Sequence, residues 1–156
     1  MSMERARAHL KQYGLEDRIQ EFSESSATVL LAAERLGVEP ARIAKSLSFL
    51  VDSGAILVLA AGDVKVDNAK FKAAFHTKAK MLSPDQVEQL VGHGVGGVCP
   101  FGVNPGVKVY LDQSLQRFDT VFPAVGTAAS AIELSIPELE RVSEYESWVD
   151  VTKPMG

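Results

Sequence analysis

An α+β fold is what this 156-residue chain predicts, and three observations carry the expectation. Helix-type and strand-type segments are interspersed without the regular strand and helix alternation of a doubly wound fold. Two apolar runs, 44–51 and 55–61, flank Asp52, Ser53 and Gly54, which reads as a hairpin. Ser83 with Gln86, and Ser135 with Glu138, each form the capping box that opens a helix, with proline at the first helical position of the first.

Taken in order, Ala6, Leu10 and Tyr13 lie at helical spacing and predict an opening helix over 3–13. From Thr28 the run TVLLAAERLGV predicts a second helix, with Ser25 and Ser26 as cap candidates and Gly37 then Pro40 as stop signals. ARIAKSLSFLV passes from a turn around Pro40 into the first hairpin strand, and AILVLAA is its partner. Asp67 is placed to cap a helix carrying Ala69, Phe71, Ala73, Ala74 and Phe75, whose lysines face outward. The helix from Ser83 runs to about Val91. After a glycine-rich segment, 107–111, 120–125 and 131–134 read as short strands, and a closing helix follows Ser135.

The length predicts one domain, 1–156, able to bury a core without staples. No apolar run is long enough to cross a bilayer and the N-terminus lacks a secretory h-region, so a cytoplasmic protein without membrane association is expected. A single cysteine excludes an internal disulfide and a cysteine-rich metal site, and His9, His76 and His93 show no ligand spacing; neither metal nor cofactor is expected. The net charge of −4 argues against coating nucleic acid by charge alone, but its distribution is polar. Lys65, Lys70, Lys72, Lys78 and Lys80 crowd one stretch with only Asp67 against them, while six acids fall between Glu133 and Asp150. Each run reads either as a solvated face or, for the basic one, as a phosphate-contacting surface.

Six of the twelve glycines and two of the seven prolines fall in Gly92–Gly106, GHGVGGVCPFGVNPG. Glycine opens backbone angles closed to other residues and lets a ligand approach the amides, while proline restricts the loop. The segment is therefore either a preorganised amide site or a long surface connection. It matches neither the phosphate-binding GxxxxGK[ST] nor GxGxxG, and the chain has no GxSxG. Cys99 with His93 is the one side-chain dyad in reach of nucleophilic chemistry, without an evident third group to orient the imidazole. Lys45 sits in the apolar IAKSLSF, either as a strand-edge lysine in solvent or as a positive charge held beside a ligand.

The order of features, a helix ending in LGV, then IAKSLSF, an apolar strand followed by GDVKVD, GGVCPFG and TVFPAVGTAASAIELS, resembles the YbaK and ProX family of aminoacyl-tRNA deacylases, which includes the editing domain of prolyl-tRNA synthetase. The similarity spans nearly the whole chain, and its specific marks are Lys45 and the GxxxP loop of Gly96, Gly97, Val98, Cys99 and Pro100. The resemblance implies a mixed, barrel-like sheet with flanking helices and a pocket between Lys45 and that loop. It implies hydrolysis by a water molecule, assisted by the substrate's terminal ribose hydroxyl, with loop amides orienting the water or stabilising the oxyanion; losing one such donor costs on the order of a hundredfold in rate. Lys45 is then expected to hold the terminal adenosine or the aminoacyl group, and Cys99 to be a bystander in an x position. Phe101, Ala124, Gly126, Thr127 and Ser130 are the candidates for contacting substrate, and Val98 and Val125 for lining the pocket. Relatives that clear cysteine carry a serine and an aspartate where this chain has Ala124 and Ala131, so a smaller residue such as alanine is the expected substrate side chain.

The sequence therefore predicts a free-standing trans-editing hydrolase acting on the acceptor end of a misacylated tRNA, such as alanine on a proline tRNA, with prolyl-tRNA synthetase as a possible partner. A synthetase cannot strongly exclude an amino acid one methylene smaller, since that group is worth only about 1–3 kcal/mol, and a second sieve removes the error. The alternatives are a non-catalytic module that binds aminoacyl-tRNA or a synthetase, and a hydrolase using Cys99 and His93.

Overall fold

The computed structural model describes residues 2–24 and 28–155. The chain runs α1 (Ser2–Gln12), β1 (Gln20–Glu21), α2 (Val29–Leu36), β2 (Ile43–Val51), β3 (Gly54–Ala61), β4 (Val64–Val66), α3 (Asn68–Phe75), α4 (Pro84–Leu90), β5 (Lys108–Asp112), β6 (Thr120–Pro123), β7 (Ser130–Ala131), β8 (Leu134–Ser135), α5 (Ile136–Ser143), β9 (Ser147–Val149) and β10 (Thr152–Pro154). Short 3-10 turns precede β1 and β2 and follow β5.

The hairpin of β2 and β3 is the centre of the fold, in register from Ala44 opposite Ala61 to Val51 opposite Gly54. Gly54 takes φ 126°, which favours glycine at the close of the turn. From Ile56 to Ala61 every residue of β3 is buried, the mark of a strand covered on both faces. Leu57 and Leu59 enter the main core with Leu10, Val87 and Leu139, while Ile56 and Val58 meet Phe49 and Phe71 under α3 on the other face. The six-stranded sheet has the order β8-β6-β2-β3-β5-β9, mixed in direction and curled into a half-barrel, and β1–β7 and β4–β10 form two small antiparallel ribbons. The architecture is the mixed α+β one, with a barrel-like sheet and flanking helices, that the sequence predicts.

The helix signals act as caps. Asp67 accepts from the amides of Ala69 and Lys70, and both capping boxes are reciprocal. Thr28 caps α2 by accepting from the Leu31 amide, and Gly37 ends it in the left-handed conformation; Ser25 and Ser26 lie outside the described residues. The predicted strand 131–134 is two strands: Ser130–Ala131 pairs with β1, and Leu134–Ser135 with β6. All but Glu133 of the predicted run is buried, so apolar pattern alone does not mark the change of partner. The predicted strand 120–125 stops at Pro123, which has no N–H to continue a ladder. β1, β4, β9 and β10 are two or three residues long, too short to display a period of two. Among the described residues no helix is long and apolar enough to cross a membrane.

Candidate functional site

A gap in the sheet creates the site. On the side away from β3, β2 pairs with β6 only at Ile43 and Ala44. Farther along the same edge, the Ser48 carbonyl accepts from the Leu82 amide (3.2 Å), and the Leu50 amide donates to the Lys80 carbonyl (2.9 Å). Between these contacts Lys45–Leu47 has no strand neighbour on that side among the described residues. In an antiparallel ladder a residue's N–H and C=O leave the strand on one side, and alternate residues share it. Since Ser48 and Leu50 turn theirs away from β3, so does Ser46, toward the opening. A cavity of about 290 Å³ fills the gap, floored by Lys45, Ser46 and Ser48 and walled by α2, Met81–Val87, the glycine-rich loop and residues 122–131.

Lys45 is partly buried, and its ammonium donates to the Val64 carbonyl at the start of β4. Desolvation pushes its pKa down, and the nearby Asp63 carboxylate opposes the shift. Asp63 is held well below the ordinary carboxylate range by a two-pronged pair with Arg117, at 2.6 and 3.0 Å. The arrangement keeps the Asp63 carboxylate near the lysine, which itself borders the cavity. The ammonium is thus held by a backbone carbonyl rather than left free in solvent, although this stretch of β2 is an open edge.

The opposite wall is made of two turns that touch backbone to backbone. A Cβ on Gly97 would lie 2.5 Å from the Gly126 carbonyl group and 2.6 Å from the Thr127 nitrogen. Gly96, Val98, Ala124, Thr127 and Ser130 line the cavity with Lys45, so these six predicted site residues are brought together. The Thr127 hydroxyl donates to the Ser130 hydroxyl (3.0 Å), and Ser130 accepts from the Val125 amide (3.2 Å), which fixes the turn. Gly97 and Gly126 stand on a neighbouring cleft rather than in the cavity. Cys99, Pro100, Phe101 and Val125 are buried and do not border the cavity; Phe101 packs in the core beside His9.

Cys99 and His93 are both fully buried, with Sγ 3.6 Å from Nε2. His93 Nε2 donates to the Phe101 carbonyl at 2.7 Å, and Nδ1 accepts from the Ser2 hydroxyl, which assigns the neutral tautomer with its proton on Nε2. That nitrogen cannot also accept a thiol proton. Burial lowers the His93 pKa and raises the Cys99 thiol to about 12, so the pair holds no thiolate at neutral pH. Ser2 is thus the orienting group that the sequence did not reveal, and it serves packing rather than activation.

The five lysines of the basic run are exposed. Lys70 is engaged with the Asp150 carboxylate (3.1 Å) and the Thr152 carbonyl (2.9 Å). Lys65 on β4 stands directly opposite Lys153 on β10, which adds a basic residue from the far end of the chain. β4 therefore carries both the carbonyl that receives Lys45 and the start of this basic surface.

Sequence reasoning missed Ser46, Ser48 and the α2 face of Val29, Ala32 and Leu36, all on the cavity. Ser46 Oγ is buried with no hydrogen-bond partner. Strand parity from Ala44 could have flagged both serines, because a hydroxyl facing the core side of a central strand needs a partner. Among the described residues no three of His, Cys, Asp and Glu are grouped to hold a metal ion.

The curled half-barrel with flanking helices is the fold of an aminoacyl-tRNA editing domain. The model of that family matches residues 23–142, and the chain belongs to it. It is 51% identical over 154 residues, 98% of both chains, to the uncharacterized Bacillus subtilis protein YwhH. It is 35% identical over 82 residues to a proline–tRNA ligase of Lysinibacillus sphaericus, covering 52% of this chain and 14% of the ligase. Among solved structures, one described as a candidate trans-editing enzyme for prolyl-tRNA synthetase superposes with a TM-score of 0.88 at 29% identity, covering 97% of each chain.

Proposed function

We propose that the chain is a trans-editing hydrolase that cleaves the ester of a misacylated tRNA, with a small amino acid such as alanine on a proline tRNA as substrate. The observation that carries this is the small cavity at the gap in the sheet, bordered by Lys45, the Gly96–Val98 turn and the 124–131 turn. Its volume of about 290 Å³ lies at the low end of ligand pockets, which suits a short side chain on an adenosine end. Ala124 and Ala131 both border the cavity, so at these two positions it presents methyl groups in place of the serine and aspartate of the cysteine-clearing relatives.

In this mechanism Lys45 positions the aminoacyl-adenosine through its charge, held in place by the Val64 carbonyl. Water adds to the ester carbonyl carbon, the oxyanion is met by backbone donors, and the tetrahedral intermediate collapses to release the ribose oxygen, which takes up the proton lost by the water. The Gly97 amide is committed to the Gly94 carbonyl (3.1 Å), which leaves the flanking Gly96 and Val98 amides and the open edge at Ser46 as the donors in reach. The acceptor stem would lie on the surface of Lys65, Lys72, Lys78 and Lys80, with prolyl-tRNA synthetase as the source of the mischarged tRNA.

The test is a deacylation assay on tRNAs charged with alanine, cysteine, serine, threonine and proline, using wild type, Lys45→Ala and Cys99→Ala. Alanine release that is lost with Lys45→Ala and kept with Cys99→Ala is the expected result. Release from no tRNA would instead mark a binding module, and loss with Cys99→Ala alone a thiol enzyme.

A further inference from the structure

Behind the wall of the cavity lies a second cleft, lined by Arg5, Glu88, Asn104 and the glycine turns, and it shares Val95, Thr127 and Ala128 with the cavity. Two neutral acceptors hold the Arg5 guanidinium: Nη2 donates to Asn104 Oδ1 at 2.9 Å and Nη1 to the Gly92 carbonyl at 3.3 Å. Among the described residues no carboxylate lies within ion-pair distance of it; Glu88, on α4, is the acid that borders the same cleft. The site is built around this side chain. A Cβ on Gly92 would fall 2.1 Å from Arg5 Nη1, and one on Gly102 2.6 Å from the Arg5 carbonyl oxygen, so both glycines make room for Arg5. A guanidinium has five N–H donors in a planar fork, and neutral partners leave its charge unspent.

We propose that this cleft receives the phosphodiester joining the terminal adenosine to the nucleotide before it, with Arg5 as the phosphate ligand. The proposal rests on the editing function above, because it is the shared wall at Val95, Thr127 and Ala128 that places a phosphate of the same strand next to the aminoacyl-adenosine. Two unlike chemistries are then divided between adjoining sites: the cavity takes the phosphate-free ester end, and the cleft takes an anion through a fork-shaped cation.

The experiment compares two minimal substrates, 3′-O-alanyl adenosine and the 3′-O-alanyl ester of the dinucleotide CpA, which differ by one phosphodiester and one nucleoside. Wild type should prefer the dinucleotide ester through a lower KM. Arg5→Gln should reduce that preference about tenfold, the effect of losing one charge-assisted hydrogen bond, and Arg5→Lys should restore part of it. An equal loss on both esters would overturn the assignment and leave Arg5 as a tie between α1 and the glycine loop; a melting curve of each variant checks that it is folded. If wild type hydrolyses neither ester, the assay on charged tRNAs decides the hydrolase function separately, and binding of unesterified CpA against adenosine decides the cleft alone. CpA bound no tighter than adenosine, or equally by wild type and Arg5→Gln, refutes it.

Discussion

Gly97→Ala isolates the contact that joins the two turns of the cavity wall. Its φ is not in the left-handed region, so the substitution brings no intrinsic backbone strain and its effect is steric. The new methyl would sit 2.5 Å from Gly126 and 2.6 Å from Thr127, both backbone, where an ordinary contact needs about 1 Å more. No flexible side-chain end is available to give way, so the turns must separate. Overpacking of this kind costs about 1–3 kcal/mol. For a domain of this size that is a fall in melting temperature of roughly 3–10 °C. The same displacement moves Gly96 and Val98 relative to Thr127, and about 1 Å of misplacement in a positioning site costs on the order of a hundredfold in rate. Gly94→Ala is the control for stability, since a Cβ there meets nothing within 4 Å and its φ is ordinary. The measurements are thermal melting and deacylation of alanyl-tRNA. A Gly97→Ala protein that melts within a degree of wild type and deacylates within twofold of it would refute the reasoning.

Native Cys99, with its thiol near 12 and no exposure, should resist iodoacetamide at pH 8 and react once the protein is unfolded in denaturant; rapid native labelling with loss of activity would contradict this. Lys45→Met should keep the fold and lower deacylation about a hundredfold, since it removes the charge beside the ester and leaves the stem. Burial depresses the Lys45 pKa, so its charged form costs stability below the folded value and that cost is relieved as pH rises toward 10.5; the stability gap between wild type and Lys45→Met should shift over that alkaline range. Glu138 is held at about 2, first by its hydrogen bond from Arg18, against 4.5 for a free glutamate. Its contribution is full above about 4.5 and lost as pH falls through about 2, so Glu138→Gln, which can still close the capping box, should flatten the acid limb of a pH–stability curve. In a salt titration of tRNA affinity, Lys65→Ala with Lys72→Ala should lower the log–log slope by about 1–2, and Lys70→Ala by less because that ammonium is already bonded to Asp150 and Thr152.

What was legible in the sequence was local. The β2–β3 hairpin, both capping boxes and the Asp67 cap follow from side chains that act on their own neighbours, and Lys45 in IAKSLSF stood out because a charge in an apolar strand needs a reason. What was not legible depends on contacts distant in sequence. Nothing near Ser46 announces that β6 leaves β2 after Ala44, since that departure is set by Pro123 nearly eighty positions on. Nothing near Gly92 or Gly102 announces the first turn of α1, against which both are pressed.

The glycine-rich loop illustrates how one composition serves two ends. Gly92, Gly102 and, outside the loop, Gly126 all have positive φ and would collide with α1 if given a side chain, so they seat a helix. Gly97 has no positive φ and is needed because two backbones meet there. Glycines of the first kind let α1 close over the loop, bringing Arg5 to the cleft and Ser2 to His93. The second kind fixes the partition between cleft and cavity. A loop read only as an amide surface for the ester would need glycine at the cavity alone, where only Gly96 borders it. Gly92, Gly97 and Gly102 are accounted for by the partition and by what lies behind it, so the wall is shaped by contacts on both its faces.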